Sequence, residues 1–357
     1  MARIIGKGYS FDDVLIIPKY NTISSRKDVN FKTKVTRNYE IDIPILIANM
    51  DTVCEDKMAI AVGKLGGLGV IHRFNTPEQQ AAMIKNVKSH KLIAAAALGI
   101  KDYEQRLEIL DKAGVNIIVL DVAHGHCKTM GNCLKFIKRN YPHIDVLVGN
   151  VATKGAAEYF YHKGADGIKV GIGPGSMCTT RIMTGAGVPQ ITAIMDVYEY
   201  IQGRIPLCAD GGIKVPGDFT KAIGAGADSI MVGSIVSGTD ECPGEIIEQN
   251  GTKYKLYRGM ASYDAAIKKQ TIDGKKTKEV ISVEGDKTLV EYKESVENIL
   301  KKFLGGLASG MTYVGAANIE AIRGKVDFIE ISSQGLNESI AHGVKTFPNK
   351  SLKEFTN

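Results

Sequence analysis

The chain has no apolar run approaching the roughly 18 residues that a membrane-spanning helix needs, so no span is expected. Its six cysteines, Cys54, Cys127, Cys133, Cys178, Cys208 and Cys242, form no CxxC pair, which argues against a zinc site. There is no basic helix and no interleaving of aromatic with basic residues, so nucleic acid is not an expected partner. The net charge of +6 reads as a lysine-rich surface, or as long-range attraction for anionic ligands. No GxGxxG follows an early strand, so a dinucleotide would not have a domain of its own. Asp12 and Asp13 come too early for the apolar core of a signal peptide. The expectation is a cytoplasmic protein with reduced thiols.

What the chain does have is a repeated alternation. Over 357 residues, 44% hydrophobic and 24% charged, short β-rich apolar runs recur at 43–49, 68–72, 92–99, 116–122, 145–151, 167–172, 206–212 and 229–234. Runs without polar alternation suit strands covered on both faces, as in a parallel sheet. Segments between them, such as DYEQRLEILDKAG and KGAAEYFYHKG, have helical periodicity and stop at glycine. Eight such units predict an α/β fold, a (β/α)8 TIM barrel forming a single catalytic domain over 1–357. A doubly wound open sheet is the alternative. After the eighth run, residues 260–295 turn lysine-rich and polar, which predicts a long mobile flap over the site or a plain surface loop. SVENILKKFLGGLASGMTYVGA then resumes helical periodicity and would complete the outer ring. The tail from Phe328 is short and is expected to pack on a neighbouring molecule.

Polar or glycine residues cluster at the run ends: Asn49, Asp51, His72, Asp121, Asn150, Gly171, Asp210, Gly211, Gly212, Gly233 and Ser234. In a barrel these ends share the face where active sites are built. GIGPGSMCTTR (171–181) puts Cys178 at the tip of a glycine-rich loop rather than in an apolar run. There it can serve as a nucleophile, with Arg181 and the loop amides lowering its pKa and Thr180 orienting a water, leaving group or proton. GPGS (173–176), ADGGIK (209–214) and VGSI (232–235) offer backbone N–H groups for a phosphate. They point to a phosphorylated small molecule, with Asp210 accepting from ribose hydroxyls. Asp121 could bind the ribose of a second ligand, whereas His124 and His126 read as structural histidines.

GIGPGSMCTTR, ANMDTV, DVAHGH, GNVAT, ADGGIK, VGS, YRGM and TYVGA together resemble the IMP dehydrogenase/GMP reductase family over nearly the whole chain. The resemblance implies a barrel, usually tetrameric, in which the loop cysteine bonds C2 of a purine nucleotide and a nicotinamide cofactor exchanges hydride with that carbon. Carried onto this chain, it makes Cys178, Thr180 and Glu284 catalytic. Met50, Ser176, Asp210, Gly212, Gly233, Ser234, Tyr257, Gly259 and Met260 would bind the substrate. Asp121, Asn150 and Arg181 would face the cofactor, and Arg73 would assist ammonia departure. A monovalent cation, K+, would sit at Gly173, Gly175 and Cys178.

Within the family, residues 260–295 contain no arginine, and their only tyrosines are Tyr263 and Tyr292. They lack the Arg-Tyr pair with which the dehydrogenase activates water. The segment VEGDKT and the absence of room for CBS domains are also similar to the reductase. SSQGLNESIAHGVKTF, PGE and GNVAT occur in the dehydrogenase, and dehydrogenases without CBS domains exist. The resemblance therefore implies a GMP reductase that uses NADPH to turn GMP into IMP and ammonia. The alternatives are an IMP dehydrogenase using NAD and an inactive nucleotide-binding barrel.

Overall fold

A computed structural model describes residues 1–272 and 283–339. Eight parallel strands close a barrel: β1 (Ile45–Ile47), β2 (Leu68–Ile71), β3 (Ala95–Leu98), β4 (Ile117–Asp121), β5 (Asp145–Val151), β6 (Gly167–Val170), β7 (Leu207–Asp210) and β8 (Ser229–Val232). Each pairs with its sequence neighbour, and β8 returns to β1 through Ile230 opposite Ile45. All eight expected runs are strands of this barrel, and the open-sheet alternative is excluded.

Strand side chains alternate between two cores, as the period of two requires. Leu46, Leu68, Val70, Ala95, Ala97, Ile117, Val119, Leu147, Cys208 and Met231 fill the barrel interior. Ile45, Ile47, Ile118, Leu120, Val146, Ile168 and Leu207 face the helical layer instead. Both faces are buried, which is why the runs show no polar alternation. The same parity turns Asp121, Lys169 and Asp210 inward. A hairpin of Thr33–Lys34 with Glu40–Ile41 closes the bottom and contributes Val35 and Ile41 to the interior.

The helices between strands start where capping chemistry places them. Pro77–Ser89 opens on a capping box in which Thr76 Oγ1 accepts from Gln79 N–H and Gln79 Oε1 accepts from Thr76 N–H. Residues 90–94 then lead straight into β3. Val296–Tyr313 packs against both Pro216–Ala225 and Asp56–Lys64, completing the outer ring.

The described parts of the expected flap carry secondary structure: Tyr263–Ile272 is a helix, and Lys287–Glu291 joins Ile247–Gln249 and Thr252–Arg258, which precede the flap, in an antiparallel sheet. The central part of the expected flap, 273–282, lies outside the described residues, as does the end of the SSQGLNESIAHGVKTF segment. The described start of the tail packs on its own chain, and its remainder, 340–357, lies outside the described residues. Phe328–Glu330 pairs antiparallel with Val14–Ile16 of the same chain, because the two ends meet beside the helix Pro216–Ala225.

Candidate active site

The loop after β6 needs its glycines. Gly171 has φ 146°, and a Cβ there would stand 2.2 Å from Asp210 O; Gly173 has φ 82°, and its Cβ would stand 2.5 Å from Arg181 Cγ. The close approach of Gly171 docks the loop on the end of β7. Arg181 fastens the loop, donating from Nε to Ile172 O at 3.1 Å and from Nη2 to Val188 O at 2.7 Å. Burial pulls its guanidinium down from the ordinary value. Of the candidate cation residues, Gly173, Gly175 and Cys178 share this loop, and Gly175 O accepts Cys178 N–H at 3.0 Å. No cluster of metal-ligating His, Cys, Asp or Glu occurs among the described residues.

Cys178 is exposed, whereas Cys54, Cys133, Cys208 and Cys242 are buried. Its Sγ donates to Thr180 Oγ1 at 3.1 Å, and Thr180 Oγ1 donates to Glu284 Oε2 at 2.8 Å. The chain thus runs from thiol to hydroxyl to carboxylate, a path along which a proton can pass in either direction. Backbone pairing sets this geometry across more than a hundred residues of sequence. Thr179 N–H donates to Glu284 O at 2.9 Å, Asp286 N–H donates to Met177 O at 3.1 Å, and Cys178 bridges Gly285 antiparallel. Glu284 N–H donates to Ala261 O at 3.2 Å, and Gly259 N–H to Asp286 O at 2.8 Å, so the sheet is tied to the loop.

Against the loop that carries the thiol lies a cavity of about 210 Å³ whose lining includes Ser176, Gly212, Ser234, Pro174, Lys214 and Phe11. It joins the segments GPGS, ADGGIK and VGSI at one place and adds Phe11. Tyr257 OH lies 3.3 Å from Ser176 Oγ and 4.0 Å from Met50 Sδ. Burial raises its phenol above the ordinary value. Gly233 sits under the same pair: a Cβ there would be 3.1 Å from Met50 Sδ and 3.4 Å from Tyr257 OH. Met260 Sδ accepts from Asp51 N–H at 3.3 Å, next to Met50.

Two charged clusters hold this mouth together, and neither was expected from sequence. In the first, the buried Lys169 ammonium donates to Asp121 Oδ1 at 3.0 Å, to Asp210 Oδ2 at 2.7 Å and to Asn150 Oδ1. Asn150 Nδ2 also donates to Asp210 Oδ2 at 2.9 Å. Burial alone would pull Lys169 down, but Asp210 and Asp121 outweigh it and raise it. Burial would push Asp121 up, yet Lys169 and Arg73 hold it below the usual carboxylate range. In the second cluster, the buried Asp51 accepts from Arg258 Nε at 3.1 Å, from Arg258 Nη2, and from Lys268 Nζ at 2.8 Å. Its pKa is lowered, burial notwithstanding, by Arg258 and Lys268. Lys268 belongs to the helix Tyr263–Ile272, so Asp51 fastens that helix to the end of β1.

The site thus brings together an exposed thiol, a hydroxyl and a carboxylate in hydrogen-bonded series, and a nearby cavity, all at the mouth of a barrel. The IMP dehydrogenase / GMP reductase domain family matches residues 8–342. The chain belongs to the IMP dehydrogenase/GMP reductase family. It is 40% identical to the inosine-5'-monophosphate dehydrogenase of Cryptosporidium parvum, over 96% of each chain. It is 30% identical to the GMP reductase of Leishmania major, over 95% of this chain and 97% of that one. The crystal structure of a cysteine-to-alanine variant of GMP reductase from Trypanosoma brucei, in complex with guanosine 5'-monophosphate, superposes with a TM-score of 0.90 at 30% identity, covering 96% of this chain and 99% of that one. The chain is thus an oxidoreductase of purine metabolism whose family uses a nicotinamide cofactor. No helix among the described residues is long and apolar enough to cross a membrane.

Proposed function

We propose that this family member is an NADPH-dependent GMP reductase, converting GMP to IMP and ammonia. One observation carries the choice over the dehydrogenase: the segment that resembles its water-activating flap has no arginine. Residues 260–295 contain none. Arg258, just before them, is committed to Asp51, and Arg181 to two loop carbonyls. The Thr180–Glu284 pair remains, and it suits protonation of a departing amine.

In this reading the nucleotide phosphate takes the cavity at Ser176, Gly212, Gly233 and Ser234, with Tyr257 beside it, and Asp210 accepts from the ribose. Gly259, Met50 and Met260 flank the base. Cys178 Sγ bonds to purine C2 while its proton moves toward Glu284 through Thr180. Glu284 returns a proton by the same path to the 2-amino nitrogen, the C2–N bond breaks, and ammonia leaves a thioimidate on Cys178. Hydride on C2 then breaks the C2–S bond and gives IMP.

The mouth on the Asp121 and Asn150 side fits a nicotinamide dinucleotide. It offers a half-buried carboxylate for hydroxyl groups, and Arg73, whose buried Nε has no hydrogen-bond partner among the described residues. Reduced cofactor supplies the hydride when bound there. Arg181 would act from beneath the loop that lies between the two ligands. Exposed Ile182 and Met183, directly after that loop, support a homotetramer that covers them. The expected K+ at the loop and the cytoplasmic location belong to the same proposal.

A second reading, oxidation of IMP with NAD, is favoured by the 40% identity to a dehydrogenase. There the Thr180–Glu284 pair would take a proton from water. One assay separates them. GMP with NADPH should consume the reduced-cofactor absorbance and release ammonia in equal amount. Formation of XMP and reduced cofactor from IMP with NAD, and silence in the first mixture, would overturn the reductase. Silence in both would leave a nucleotide-binding barrel.

A further inference from the structure

Away from the thiol, a second lysine is buried without a carboxylate. Lys255 is 4% exposed, and its Nζ donates to three backbone carbonyls: Thr239 O at 2.9 Å, Cys242 O at 2.8 Å and Asp240 O at 3.4 Å. No ion pair with Lys255 occurs among the described residues. A buried charge is costly unless its surroundings replace the lost water. Here the replacement is an array of carbonyl dipoles, one for each ammonium proton. Converging carbonyl oxygens are also the shell that proteins offer to a dehydrated potassium ion. An ammonium group and a potassium ion accept oxygen shells of similar size.

We infer that the Lys255 ammonium is a tethered monovalent cation, filling a carbonyl cage that would otherwise take a free ion of potassium size. Access exists, because the cage adjoins a cavity of about 410 Å³ lined by Glu55, Asp240, Cys242, Pro243, Ile246 and Lys255. The exposed Lys57 also donates to Asp240 O, at 2.9 Å, so that the two lysines share this carbonyl while Thr239 O and Cys242 O face Lys255.

The cage acts on the active site through strand parity. Lys255 and Tyr257 lie two apart on Thr252–Arg258, and both are buried on one face. Anchoring Lys255 on the turn 239–242 fixes how far Tyr257 reaches toward Ser176. That turn follows Gly233 and Ser234 after a short segment, which Lys293 grips at Ser234 O (3.3 Å) and Ile235 O (3.1 Å). Lys255 is therefore a positioning residue for the phosphate cradle.

The test is Lys255→Ala against Lys255→Met, each in K+, Li+ or choline salts at equal ionic strength, with wild type in the same salts as reference. IMP is the ligand because it is product or substrate in either reaction of the family. In choline, Lys255→Ala should bind IMP about tenfold to a hundredfold more weakly and melt lower. Potassium should recover most of both losses, lithium and choline neither. Lys255→Met keeps the side-chain stem in the cage and should not respond, which separates ion binding from general salt stabilisation. Wild type cancels any cation response seated at the catalytic loop. If Lys255→Ala does not fold in choline, its refolding yield in K+ against Li+ gives the same comparison. Equal recovery in all salts, or equal response of both variants, overturns the inference. Neither readout uses turnover, so the outcome is independent of which reaction the enzyme performs.

Discussion

Cys178→Ala is expected to lower turnover by at least about a thousandfold while nucleotide affinity stays within a few-fold of wild type. The separation follows from where the sulfur sits. Its side chain is exposed and, among the described residues, its side-chain hydrogen bond goes to Thr180, so its loss removes little packing. The cavity proposed for the phosphate is lined by other residues, Ser176, Gly212 and Ser234 among them, and not by the thiol. Losing a nucleophile removes an interaction that exists only along the reaction path, so kcat should fall and KM should not. Cys178→Ser sharpens the point. It can keep a hydrogen bond to Thr180 but is a poor nucleophile at neutral pH, and it should be nearly as inactive as alanine. Steady-state kinetics with calorimetric titration of IMP checks both. A variant retaining a tenth of wild-type turnover would remove the covalent scheme.

Lys169→Met should destabilise the fold by about 3–5 kcal/mol at neutral pH, because it leaves Asp121 and Asp210 facing each other without their shared cation. Lys169, with a smaller contribution from Arg73, now outweighs the burial penalty on Asp121. With the ammonium gone, burial dominates and the Asp121 carboxyl moves up. The sign then changes with pH. In wild type the depressed Asp121 contributes stability above the unfolded carboxylate pKa of about 3.9 and loses it as pH falls through the folded value. In the variant a raised carboxyl costs stability above that pKa and recovers it on protonation. The difference between the two proteins should therefore be largest near neutral pH and shrink below about pH 4. Urea denaturation at several pH values measures it. Nucleotide binding should weaken as well, since Asp210 loses the contact that aims it. A pH-independent difference would mean that Lys169 contributes packing and not charge.

The barrel was legible because each strand is buried on both faces, and the resulting apolar runs are separated by amphipathic helices. The tight loop after β6 was legible because glycines cluster at that run end, where Gly171 and Gly173 carry positive φ that other residues resist. Lys169 was not. A single lysine between Ile168 and Val170 gives no sign that it faces inward, and its carboxylate partners arrive only when β4 and β7 close around it. The antiparallel sheet escaped for a related reason. Thr252–Arg258 buries only Lys255 and Tyr257, so it shows no apolar period. The Asp51 cluster joins residues more than two hundred positions apart, a pairing that local pattern does not carry. The tail strand Phe328–Glu330 is three residues long and finds its partner at the opposite end of the chain.

The central claim is a bond between one sulfur and one purine carbon, and mass spectrometry of the denatured enzyme tests it most directly. IMP mixed with oxidised nicotinamide cofactor reaches the same adduct by reversal of the hydride step, whichever of the two family reactions is physiological. The account predicts a covalent increment of IMP, less a hydride and the thiol proton, on the peptide bearing Cys178 and on no other. An enzyme that turns over without that increment, or that carries it on another cysteine, would contradict it.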